Sequence, residues 1–165
     1  MNRRLRALGG AAIVAAALAG SAATGAATPS HAGHAAHDEH RIARGDLRRL
    51  LAATAPFRRV ERALASGRVD LGLCFDQMGQ HYADPATFSD GVLDPTDPEA
   101  LVYENVGNRL RLVAVEWVST EPGEVLGIPL HLNESLNVYV LHAWIWKHNP
   151  DGQLADFNPR VGDCP

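Results

Sequence analysis

The run from Asn137 to Asn149, Asn-Val-Tyr-Val-Leu-His-Ala-Trp-Ile-Trp-Lys-His-Asn, restricts the possible folds more than any other part of the chain. Its β-branched and aromatic residues predict a central strand. Alternation sends Val138, Val140, Trp144 and Trp146 to one face and Tyr139, Leu141, Ala143 and Ile145 to the other, and both sets are apolar enough to be covered. His142 is the single ionisable side chain within the apolar run, on the same face as the two tryptophans that follow it. An imidazole so placed is either a satisfied core histidine or a ligand.

The remaining segments supply partners for such a strand. Arg109 to Ser119 reads as a second long strand, joined in a hairpin to Ala100–Glu104 across Asn105-Val106-Gly107-Asn108. Leu110, Leu112, Ala114 and Val118 share a face there, and Glu116 lies among them. A carboxylate on an apolar face must be paired, protonated or metal-bound, because burying it alone is expensive. The extended pattern begins after Gly72. Before it, Ile42, Leu47, Leu50 and Leu51 recur at helical spacing within Asp38–Ala53. Phe57, Val60, Ala63 and Leu64 form the stripe of a second helix, with Thr54 as its cap, Pro56 in its first turn and Gly67 as its stop. These elements predict an α+β fold: one or two N-terminal helices packed on a curved antiparallel sheet of four to six strands, an open or half-closed barrel. A β-sandwich with a helical prefix is the alternative.

The first residues stand outside that core. Arg3, Arg4 and Arg6 precede an uncharged apolar run, Ala7 to Gly20, which is too short to span a bilayer, and small residues follow to Ala27. Residues 1–27 therefore read as a secretory signal peptide and residues 28–40 as a His-rich segment. Residues 41–165 form a single exported domain, with no integral span once the leader is removed. His31, His34, His37 and His40 recur every third residue and either bind metal loosely or belong to a soluble spacer. In an oxidising compartment Cys74 and Cys164, the only cysteines, predict one disulfide.

Arg41 to Arg68 carries eight arginines against Asp46 and Glu61, whereas the rest of the chain is strongly acidic. Only Phe57 accompanies the basic residues, so nucleic-acid binding is not indicated. There is no G-x-S-x-G, H-E-x-x-H, phosphate-binding glycine loop or C-x-x-C. Asp90, Asp94 and Asp97 with Glu99 either hold calcium or form a solvated acidic loop. Their proline spacing departs from an EF-hand.

Chemistry-bearing residues concentrate instead in the strands. His81, Glu116 and His142 make a ligand set suited to Zn, Mn or non-haem Fe, with Tyr82, Tyr103, Glu104 and Trp144 as candidate supporting or ligand-binding groups. The same residues could do acid and base work, or form a buried polar network that fixes sheet register. A metal ion or small polar molecule is the expected ligand. A secreted enzyme is the second reading, and an envelope domain acting through protein contacts is the third.

Several motifs also resemble a family of secreted bacterial proteins with no assigned biochemical function. Its carriers run from Ala53-Thr54 through Met78-Gly79 with His81-Tyr82, Asp90-Gly91-Val92-Leu93-Asp94-Pro95 and Pro98 to Glu104. They continue through Arg111 to Trp117, Leu141 to Lys147 with Asn149-Pro150, and Asn158 to Val161 before Cys164. The resemblance implies membership and no activity. The family pattern has a His-Tyr pair where Val138-Tyr139 stands here, so a ligand held there by relatives would be held differently in this chain.

Overall fold

The computed structural model describes residues 41–165. The leader, His31, His34, His37, His40 and the start of the helix expected from Asp38 lie outside the described residues. The first helix, α1, is Arg44–Thr54. A 3-10 turn at Ala55–Arg58 separates it from α2, Val60–Ala65. Pro56 opens the turn, where its missing N–H leaves no helical bond unmade. Gly67 ends α2 with φ +97°, and the Arg68 amide reaches back to the Ala63 carbonyl.

Thr54 is not the cap of the second helix. It closes the first, donating its hydroxyl to the Leu50 carbonyl at 2.8 Å and accepting the Trp146 indole N–H at 3.2 Å. The expected stripe of α2 is also incomplete, since Ala63 is buried and Leu64 is exposed.

Six strands form the main sheet: β1 (Val69–Phe75), β2 (Gly79–Ala83), β3 (Ala100–Val106), β4 (Arg109–Ser119), β7 (His131–Asn133) and β8 (Val138–Ala143), while β5 (Glu124–Val125) and β6 (Ile128–Pro129) make a separate small hairpin. The order across the main sheet is β1-β2-β3-β4-β8-β7, with every pair antiparallel. The sheet is curled into a half-barrel preceded by the helices, as expected, and begins at Val69 rather than after Gly72. Cys74 and Cys164 are bonded, with their Cα atoms 5.9 Å apart. No helix among the described residues is long and apolar enough to cross a membrane.

Alternation divides the sheet. Tyr82, Leu101, Tyr103, Val115, Trp117 and Leu141 join Leu50 and Ala63 of the helices in the main core. The opposite face carries His81, Ala100, Glu116, Val118, Val140 and His142 along a cavity. Tyr82 and Tyr103 therefore lie on the wrong face to serve His81: they pack edge to face, 5.2 Å apart, and Tyr103 donates to the Phe57 carbonyl.

A bulge in β4 breaks the expected single phase of that strand. Val102 pairs with Ala114 but Tyr103 pairs with Leu112, so Val113 is an extra residue. Leu110 and Leu112 consequently face the main core, whereas Ala114, Glu116 and Val118 face the other way. The bulge also ends β8 at Ala143. The Val113 carbonyl accepts the amides of both Trp146 and Lys147, and the Trp144 amide turns to Gln153. The strand predicted to reach Asn149 thus stops six residues early. Trp144 remains on the cavity side, packed with Met78, Val102 and Val161. Trp146 crosses to the helices, where Arg58 lies over its ring.

Glu99, beside this sheet, accepts the Val118 amide through Oε2. Burial, with Asp90 and Asp97 nearby, pushes its carboxyl up to about 7. The neutral acid therefore fits the fold better than the carboxylate. Its stabilising contribution is complete below the unfolded value and is lost as pH rises through 7. Glu99→Gln, which keeps the acceptor, is expected to remove a loss on the order of 2 to 3 kcal/mol between pH 4.5 and 7. Urea titrations across that range measure it.

Candidate metal centre

Three side chains from separate strands meet beneath the cavity. Glu116 on β4 is directly across from His142 on β8. His81 on β2 reaches Glu116 over β3, where the residue paired with Glu116 is Ala100, small enough to leave the path open. Gly79 fixes the start of β2: its φ is +111°, and a Cβ there would stand 2.4 Å from the Tyr103 carbonyl oxygen.

His81 Nε2 lies 3.6 Å from Glu116 Oε2, and His142 Nε2 lies 3.3 Å from Glu116 Oε1. All three residues are buried, and one donor atom from each lies within 4.8 Å of the others. An ion bonded at 2.0–2.1 Å to each donor of a tetrahedral set places those donors roughly 3.3 Å apart. The observed separations of 3.3 and 3.6 Å lie at and just above that value.

The outer nitrogens are already committed. His81 Nδ1 donates to the Leu73 carbonyl at 3.1 Å, and His142 Nδ1 donates to Asp156 Oδ1 at 3.3 Å. Asp156 Oδ2 in turn lies 3.1 Å from His131 Nε2. These partners set the tautomers and turn both Nε2 atoms toward Glu116, the outer-sphere pattern that orients histidines on a metal. His142 Nε2 is buried without a hydrogen-bond partner.

The two imidazoles differ in their fields. Burial holds His81 below its ordinary range against the pull of Glu116. Burial also lowers His142, but the carboxylates of Glu116 and Asp156 outweigh it and hold it above the ordinary range. The hydrogen bond from His142 is the main reason that Asp156 lies below the usual carboxylate range. Asp156→Asn keeps the shape and removes the charge. It is expected to weaken zinc binding by about 10- to 100-fold, measured by competition with a chromophoric chelator.

Not every residue singled out in the sequence joins the centre. Glu104 is buried nearer the hairpin end, ion-paired with Lys147 and facing Arg111. Trp144 lies in the neighbouring cluster and donates its indole N–H to the Ala155 carbonyl. Asp90, Asp94, Asp97 and Glu99 line a separate hollow with Arg68. Asp156 carries no signal of its role in the sequence, because it sits in the irregular segment after the Asn149-Pro150-Asp151-Gly152 turn. Val138, where the family resemblance expects a histidine, lines the cavity.

The cavity above the cluster has a volume of about 530 Å³. Leu71, Leu73 and Phe75 of β1 form one wall, and Val138 and Val140 of β8 form another. Phe75 meets the His81 ring edge to face at 5.7 Å. The described residues thus define a disulfide-linked α+β half-barrel with a buried two-histidine, one-carboxylate cluster able to hold a metal ion. Compared with models of protein families, with curated proteins and with solved structures, the chain matches none.

Proposed function

We propose that this protein is an exported binding domain that holds one divalent transition metal ion, Zn, Mn or Fe, through His81, Glu116 and His142. One observation carries the reading. Two imidazole Nε2 atoms, each oriented by a bond at its other nitrogen, converge on one buried carboxylate at distances too long or too poorly aligned for good hydrogen bonds. A shared cation satisfies all three groups at once. Two histidines and a carboxylate with a cavity alongside suit zinc or non-haem iron, and the bound ion would supply Lewis acidity. The Cys74–Cys164 bond supports an extracytoplasmic setting.

Elemental analysis tests the proposal, using protein in which His31, His34, His37 and His40 are replaced by Ala so that the tail contributes nothing. Near-stoichiometric metal is expected there and loss of it in the further variant His142→Ala. No metal in either protein, with His142→Ala less stable, would leave a structural network in its place.

A further inference from the structure

The cavity beside the cluster is chemically lopsided, and that asymmetry specifies a ligand. Among the described residues its polar lining consists of His81, Glu116 and His142, with Asn133 and Ser135; the other lining residues are apolar, and none is Lys or Arg. A divalent ion held by two neutral imidazoles and the Glu116 carboxylate leaves one positive charge among its direct ligands; the Asp156 carboxylate, bonded to the outer nitrogen of His142, stands behind that imidazole and outside the cavity lining. With no side-chain cation among the described lining residues, the ion is the positive group that an anionic ligand would meet there. Alternation then extends the apolar floor away from the centre: Glu116 is followed on its face by Val118, and His142 is preceded by Val140 and Val138. At the rise of a strand, the span from His142 to Val138 is roughly 13 Å, the reach of an extended medium-length acyl chain.

On the basis of the metal reading above, we infer that the cavity binds a medium-chain aliphatic monocarboxylate. Its carboxylate lies on the ion held by His81, Glu116 and His142, and its tail runs over Val118, Val140 and Val138. The head supplies the negative charge that the ion's direct ligands leave unmatched, and the tail replaces water along apolar side chains. A dicarboxylate or a phosphate would carry excess charge into a wall that cannot pair it.

Titration calorimetry of zinc-loaded protein with butyrate, hexanoate, octanoate and decanoate tests the inference. Affinity is expected to rise about fourfold for each methylene buried, some two-hundredfold from butyrate to octanoate. The zinc-free protein should lose most of the affinity for every member. Val138→Phe, which fills the far end, should flatten the series at its long end. A flat series on protein that retains stoichiometric zinc overturns the inference and leaves the metal centre standing. Equal affinities with and without zinc also overturn it, because the head would then not sit on the ion. Failure to retain zinc overturns the metal reading and this inference together.

Discussion

Zinc at a hundredfold excess over its dissociation constant is expected to stabilise the protein by about 2.7 kcal/mol, raising its melting temperature by roughly 10 °C. Replacing Glu116 with Leu should abolish the shift. The opposite behaviour is expected without metal: Glu116→Leu should be at least as stable as the parent. A buried carboxylate beside two imidazoles is costly to desolvate, and an apolar side chain of similar size avoids that cost. Here Glu116 has neighbours 3.3 and 3.6 Å away but no well-made hydrogen bond to either. Thermal scans of both proteins, with zinc and with chelator, give the four values needed. A Glu116→Leu protein that is much less stable than the parent in chelator would mean that Glu116 serves the fold rather than a ligand.

Removing the disulfide is expected to have the largest effect on stability. Cys74 and Cys164 are separated by 90 residues, so the bond encloses nearly the whole sheet. In the chain-entropy account a loop of that length contributes about 4 to 5 kcal/mol. The double variant Cys74→Ala/Cys164→Ala should show that loss as a lower denaturation midpoint. The bond also fastens the terminal segment to the β1–β2 turn, where the Cys164 amide meets Asp76 and the Asn158 amide meets the Gln77 carbonyl. Asp156 rides on that segment. Zinc affinity should therefore fall in the same direction as in Asp156→Asn, though by less. An unchanged affinity would show that the segment keeps its place without the bond.

The cluster was legible in the sequence because an ionisable group inside an apolar, β-branched run has few ways to be stable. That argument finds Glu116 and His142 from their strands, whereas His81 lies in a short mixed run and stands out only as an ionisable residue beside Met78-Gly79. It could not find Asp156, because an irregular segment has no periodicity from which a direction can be read. Two other misreadings have one origin. A phase argument holds only while pairing is regular, and the extra residue at Val113 reverses Leu110 and Leu112 and releases Trp146 to the helices. Tyr82 was a different matter: as the immediate neighbour of His81 in β2 it had to face the other way. The helical prefix and disulfide were readable because Gly67, Pro56 and a lone cysteine pair each leave few alternatives.

The walls of the cavity belong to strands that sit far apart in the sheet order, β1 on one side and β8 on the other. They approach only because the sheet rolls. Its internal volume is thus governed by the degree of rolling, which the irregular pairings between Asp70 and Cys74 and between Val102 and Tyr103 control. The first of these irregularities carries Leu71 and Leu73 of the lining itself, but changes at the second, whose residues do not line the cavity, would widen or narrow the chamber while leaving its lining unaltered. Ligand size in this architecture can be tuned through backbone curvature alone.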